Sequence, residues 1–280
     1  MRIKYSCVVD NRERFRIQGR IWLSSLIHFG NIDPANIYVY CVNGTDAGFM
    51  RQCAETGVNV ELTEPYGDKT YCNKIAQMGC GALRGFDAAI LMDCDTVLLR
   101  NFEDAVDFGK ISAKIVDMPN PDIEVIDRLF ALAGLKKSDM IPDVKTECSD
   151  RFTYGANFNG GVYIIPAKYY GAIGQGWKKW SRWLLDCGKP IYDADMQAHI
   201  DQVSFCMAVH ENNIPVNHIS RRYNYPTPYD FGGGEPFPYV LHYHKDADKN
   251  NIIETGYPLA GNIKKAVETA NEMMSEINKK

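Results

Sequence analysis

Ala88–Met92 is a short apolar run with no helical period, and Asp93-Cys94-Asp95 interrupts it before apolar residues resume at Val97. Such a run reads as a strand buried on both faces, as in the middle of an α/β sheet. Similar patterns precede it. Ile3–Val9 predicts a first strand, broken by Asp10-Asn11-Arg12. Residues 15–29 predict an amphipathic helix with Phe15, Trp22, Leu26 and Phe29 on one face. Ile37–Val42 predicts a second strand, Asp46 the cap of a helix running to about Thr56, and residues 58–62 a third strand. Residues 70–83 predict a helix, weakened in its second half by Gly79 and Gly81. This alternation of strand and helix means α/β with a largely parallel sheet.

The second half is less regular. Residues 112–116 predict a further strand. Residues 117–157, with Met118-Pro119-Asn120-Pro121 and one helix near 122–133, predict an excursion where specificity for a second substrate would be built. Two glycines in Phe158-Asn159-Gly160-Gly161 precede a strand from Val162. Residues 168–187 predict a helix whose Trp177, Trp180 and Leu184 belong to the core. His199-Ile200-Asp201-Gln202 opens another helix, with Ile200, Val203 and Met207 on one face and Asp201 and Gln202 off it. The Tyr-, Pro- and Gly-rich residues 223–238 predict a loop that can close over a site. Residues 239–245 predict a last strand carrying His242, His244 and Lys245, and residues 260–280 an amphipathic helix.

Composition narrows the class. With 280 residues, 45% hydrophobic and 24% charged, the chain can bury a sizeable core. A net charge of -4 gives no electrostatic case for nucleic acid. Nine cysteines without C-x-x-C pairs argue against a zinc site and against a full set of disulfides. No apolar run reaches membrane-spanning length and no signal-peptide pattern is present, so the expectation is a reducing, cytoplasmic setting.

The candidate chemistry starts at Asp93 and Asp95. Period two places them on one side of an extended chain, with Cα atoms about 6–7 Å apart. Two carboxylates this close repel unless a cation lies between them or one stays protonated. Ligands of open α/β sheets bind beyond the carboxyl ends of strands, so the pair reads as a divalent-metal site placed for a phosphorylated ligand. His242 and His244 share a face by period two, and a cation held by two carboxylates can take an imidazole as third protein ligand, a mix that Mn²⁺ accepts. Other residues carry two readings each. Asp10 is an Asx-turn or cap residue, or a contact to a base. Lys74 is a surface charge or a phosphate contact. The glycine pair is a bulge or a close approach of backbone to ligand. Asp201 is a helix N-terminal charge or a catalytic group.

These pieces resemble the GT-A fold glycosyltransferases, which use a nucleotide-diphospho-sugar donor. More narrowly, they resemble the retaining family of glycogenin and the bacterial lipopolysaccharide galactosyl- and glucosyltransferases. The matching residues are Leu91-Met92-Asp93-Cys94-Asp95-Thr96-Val97-Leu98, Phe158-Asn159-Gly160-Gly161-Val162, Asp201-Gln202 and Leu241-His242-Tyr243. The resemblance implies a mixed, mostly parallel central sheet flanked by helices in one domain over residues 1–260. Residues 1–116 would form the donor-binding half, 117–157 the acceptor excursion, 158–260 the second half, and 261–280 a C-terminal helix. It also implies that Asp93, Asp95 and His242 bind Mn²⁺ or Mg²⁺, with the aspartates reaching the donor's ribose and diphosphate. Asp10 would lie near the base, Lys74 near the diphosphate or donor sugar, and Asn159 with Gly160 near the donor sugar. Lys245, or failing it Lys249, would bind phosphate, and Asp201 and Gln202 would flank the anomeric carbon.

The expected partners are a UDP-sugar and a glycan, glycolipid or glycoprotein acceptor, with peripheral membrane contact. An inverting variant would take Asp201 or Asp193 as general base. Three competitors differ in class. A haloacid-dehalogenase-type phosphatase needs Thr two places after the second Asp, whereas Thr96 follows Asp95 directly. A sugar nucleotidyltransferase needs a Gly- and Arg-rich loop after strand one, and Asp10-Asn11-Arg12-Glu13-Arg14 has no glycine. A non-catalytic scaffold on the same fold would not depend on Asp95.

Overall fold

The five residues Ala88–Met92 are all buried and form one strand, β4 of the computed structural model, which describes residues 1–79, 85–229, 236–244, 247–256 and 258–279. Preceding it are β1 (Ile3–Val9), β2 (Ile37–Val42) and β3 (Asn59–Thr63). Then come β5 (Thr96–Leu98), β6 (Ile111–Ile115), the hairpin pair β7 (Val144–Lys145) and β8 (Phe152–Thr153), β9 (Phe158–Pro166), β10 (Val216–His218), β11 (Tyr225–Pro226) and β12 (Val240–His242). The helices are α1 (Glu13–His28), α2 (Ala47–Glu55), α3 (Ile123–Ala133), α4 (Ala167–Cys187), α5 (Lys189–Asp193), α6 (Ile200–Glu211) and α7 (Gly261–Ile277). The fold is mixed α/β with a seven-stranded, mostly parallel sheet flanked by helices.

The chain divides into two compact units. Unit 1 comprises 1–3, 64–90 and 106–219. Its strands run in the order β10-β6-β9-β4, with β10 parallel and β9 antiparallel to β6. The aromatic residues of α4, α6 and β9 form its core. Tyr163 stacks on Phe205 at 4.2 Å between ring centroids, and Trp177 meets both edge-on at 5.6 and 4.9 Å. Trp177 and Trp180 are buried, as their spacing predicts.

Unit 2 comprises 4–63, 91–105 and 220–280. Parallel β1-β2-β3 and the small sheet β11-β12-β5 form its strands. Asp46 caps α2 as expected, its Oδ1 accepting from the Phe49 amide at 2.8 Å. α1 turns its Gly19 side toward β1 and α2, where a Cβ would sit 2.9 Å from Val9 and 3.2 Å from Phe49. Amphipathic α7 lays Ile263, Ala266, Val267, Ala270, Met273 and Met274 into one cluster with Ile17, Ile21, Val97, Leu241 and Tyr243.

Four expectations need correction. Residues 71–79 form a 3₁₀ segment instead of an α-helix. Here the Asn73 side chain donates to the Lys69 carbonyl, which an α-helix would give to the Asn73 amide, and that amide bonds the Thr70 carbonyl instead. In α1 the core face is Ile17, Ile21, Trp22 and Leu26, while Phe15 lies half-buried under the guanidinium groups of Arg12 and Arg14. α6 is buried on nearly every side and Asp201 with it, because α4 and β9 pack on it together. The last strand stops at His242. The Gly232 loop, Lys245 and the end of the predicted 70–83 helix lie outside the described residues.

Candidate functional site

Two groups of polar side chains stand out, one in each unit. In unit 2 the chain leaves β4 and turns at once. The Asp93 carbonyl accepts from both the amide and the hydroxyl of Thr96, at 3.2 and 2.7 Å. The extended alternation assumed from sequence therefore stops at Asp93, and a turn leads into β5. β5 then pairs antiparallel with β12, His242 opposite Thr96. This register sets His242 Nε2 3.3 Å from Asp95 Oδ1 and 4.0 Å from Asp93 Oδ2. The Tyr243 amide closes the corner by donating to the Asp95 carbonyl at 3.1 Å.

The His242 ring is held from behind. Its Nδ1 lies 3.0 Å from Oδ1 of buried Asn224, an acceptor, so in the neutral ring Nδ1 carries the proton and the Nε2 lone pair faces the aspartates. A metal-binding imidazole needs this arrangement. Asp93 and Asp95 both face His242 Nε2, and a mixed carboxylate and imidazole set of this kind fits a divalent metal. Ligand atoms of Asp95, His242 and His244 also lie within 4.8 Å of one another. Cys94 is not part of this set. Burial first, then Asp95 and Asp93, push its thiol well above the usual range, and its Sγ donates to Gln18 Oε1 at 3.6 Å. Asp10 makes an Asx turn with the Arg12 amide at 2.9 Å and is clasped by the Arg12 guanidinium.

In unit 1 the Lys74 ammonium donates to the Gly160 carbonyl at 2.9 Å and lies 3.5 Å from Asp201 Oδ2. Both side chains are nearly buried. The Asp201 backbone is fixed from below, its carbonyl accepting from Trp177 Nε1 at 2.7 Å and from the Ser204 hydroxyl at 2.9 Å. The Gln202 amide meets His199 Nδ1 at 3.3 Å, and burial lowers the pKa of that imidazole. Asn159 donates to Asp117 Oδ2 at 2.8 Å, and its own Oδ1 accepts from the Gly161 amide at 3.0 Å. Asp117 is in turn paired with Lys114, a lysine with no exposed surface.

The structure thus gathers Asp93, Asp95 and His242 in one group, and Lys74, Gly160 and Asp201 in another. Asn159 and Gln202 make local bonds in unit 1, and Asp10 does so in unit 2. Asp193 stands apart from these groups, exposed on α5 and paired with Lys189 at 2.7 Å. Sequence reasoning missed Asn224, Lys114 and Asp117. A lysine between Ala113 and Ile115, in a short strand ending in isoleucine on both sides, was the available signal for the buried pair.

No protein-family model and no curated protein sequence matches the chain. Solved structures do. LgtC, in an active-site mutant form, shares 12% identity at a TM-score of 0.57, the match covering 98% of this chain and 95% of that one. The glycosyltransferase GlyE of Streptococcus pneumoniae TIGR4 shares 16% at 0.54, over 98% of this chain and 63% of that one. Mouse xyloside xylosyltransferase 1 shares 13% at 0.50, over 86% and 97%. No helix among the described residues is long and apolar enough to cross a membrane. The chain has the GT-A glycosyltransferase fold, and it resembles LgtC over nearly its whole length.

Proposed function

We propose that this chain is a metal-dependent glycosyltransferase moving a sugar from a UDP-sugar to a hydroxyl of a glycan, glycolipid or glycoprotein, with retention at the anomeric carbon. The observation that supports it most is the convergence of Asp93, Asp95 and the oriented Nε2 of His242, in a chain of glycosyltransferase fold. The proposed setting is the cytoplasm, with peripheral contact to a membrane where the acceptor is lipid-borne.

Asp93, Asp95 and His242 would hold Mn²⁺ or Mg²⁺. When bound, the cation neutralises charge building on the departing diphosphate. Lys74 and Lys245 add positive charge toward the phosphates or donor sugar. Asp10 contacts the base, and Asn159 with Gly160 the donor sugar. Asp201 and Gln202 flank the anomeric carbon and steady its oxocarbenium-like character. With retention the departing phosphate takes the acceptor's proton, so Asp201 need not act as a base.

Calorimetry of UDP binding tests this reading. Binding that requires both Mn²⁺ and Asp95, and is lost in EDTA or in Asp95→Ala, supports it. Binding without metal removes the aspartates and His242 from the metal role. If UDP, GDP and dTDP all fail to bind, the transferase reading gives way to the scaffold. A second expectation concerns Asn224. Asn224→Ala frees the His242 ring to rotate and weakens Mn²⁺ binding by about 10- to 100-fold, as loss of a ligand-orienting partner does. Mn²⁺ titration of the two proteins checks it.

A further inference from the structure

We propose that His244 is a further protein donor to this cation, and that the resulting two-imidazole set tilts the site toward first-row transition cations and away from Mg²⁺. The inference rests on the metal reading above and adds a residue and a selectivity to it.

Three observations carry it. First, His244 offers a ring nitrogen within 4.8 Å of ligand atoms on both Asp95 and His242. Second, its ring lies alongside that of His242, with centroids 3.5 Å apart and planes tilted by 32°. Third, the backbone that delivers it is fixed. The Tyr243 amide donates to Asp95, the Thr227 hydroxyl donates to the Tyr243 carbonyl at 3.1 Å, and the Thr227 amide donates to the His242 carbonyl at 3.1 Å. At His244 itself φ is +52°, a left-handed conformation that a non-glycine residue holds at some cost and that recurs at functional sites. His244 is exposed, so it sits at the solvent side of the group while His242 sits at the buried side.

The donor chemistry gives the selectivity. Mg²⁺ takes hard oxygen ligands in a near-ideal octahedron and keeps several waters. Each imidazole that replaces an oxygen donor favours the borderline transition cations, with affinity rising from Mn²⁺ through Co²⁺. One imidazole beside two carboxylates leaves Mg²⁺ competitive; two imidazoles do not.

The competing explanation is a surface turn whose histidine stacks on its neighbour without touching a cation. Two substitutions separate the cases: His244→Phe keeps an aromatic ring beside His242, and His244→Asn keeps a residue that tolerates the left-handed conformation. Co²⁺ binding followed by visible absorption, and calorimetry of Co²⁺, Mn²⁺ and Mg²⁺, are measured on both variants and on Asp95→Ala. Both His244 variants are expected to weaken Co²⁺ and Mn²⁺ by about 10- to 100-fold, at least what loss of an outer partner costs. Mg²⁺ affinity stays nearly unchanged and the Co²⁺ band shifts. If both variants bind all three cations as the parent does while Asp95→Ala binds none, His244 is a turn residue and the metal reading stands without it. If Asp95→Ala also binds as the parent does, the metal reading falls and this inference with it.

Discussion

Asp95→Ala lowers the rate of sugar transfer by about a thousandfold or more and leaves the thermal midpoint close to that of the parent. A thousandfold is about 4 kcal/mol at 1.36 kcal/mol per tenfold, within the several kcal/mol that charge neutralisation by a bound cation supplies. The second half of the expectation follows from the geometry. The contact that holds the corner together uses the Asp95 carbonyl, which alanine keeps. The lost carboxylate is about one-quarter exposed. Parallel measurement of kcat/KM with a panel of UDP-sugars and of thermal unfolding checks both parts. A drop of less than about tenfold in a folded variant counts against Asp95 as a metal ligand.

Lys114→Met destabilises the protein by about 3–5 kcal/mol, although lysine and methionine fill similar volumes. Lys114 is fully buried on β6, and its ammonium pairs with Asp117 Oδ1. Removing it leaves the buried Asp117 carboxylate without its cation, with the Asn159 amide at its other oxygen. The double variant Lys114→Met with Asp117→Asn removes both charges and regains much of the loss, since replacing a whole buried pair costs far less than halving it. Urea unfolding of the parent, the two single variants and the double variant closes the cycle. If the double variant is as unstable as the sum of the singles, the pair is not coupled. Because Asp117 also holds Asn159, Lys114 is placed to act on the proposed donor-sugar contact through two intermediates.

Elements that declare themselves locally were legible in the sequence. β4 needed only five consecutive apolar residues ending in charge, and α2 needed only Asp46 at the right offset. What was not legible depends on partners distant in the chain. Ile200, Val203 and Met207 mark one face of α6, yet α4 and β9 bury the others, so Asp201 is inside and pairs with Lys74. No local pattern announces that meeting. Asp93 and Asp95 were read as a pair on an extended chain, and that backbone was wrong, because Thr96 bonds back to the Asp93 carbonyl and turns the chain where alternation was assumed. Asn224 carries no signal at all until the β11–β12 pairing puts His242 beside it.

The apolar stripe of α7 has a consequence for how the protein is made. Unit 2 joins residues 4–63 to residues 220–280, and its hydrophobic cluster includes Ile263 through Met274. During synthesis Ile17 and Ile21 meet only Val97 and Leu99 of their buried cluster until residues 220–280 emerge, and the rest of that cluster waits for the C-terminal segment. Contacts this far apart in the chain close slowly and leave apolar surface exposed on the ribosome. The platform of β5 and β12 that carries Asp95 and His242 therefore matures only after translation has passed α7, and chaperone occupancy of the nascent chain is expected to persist to that point.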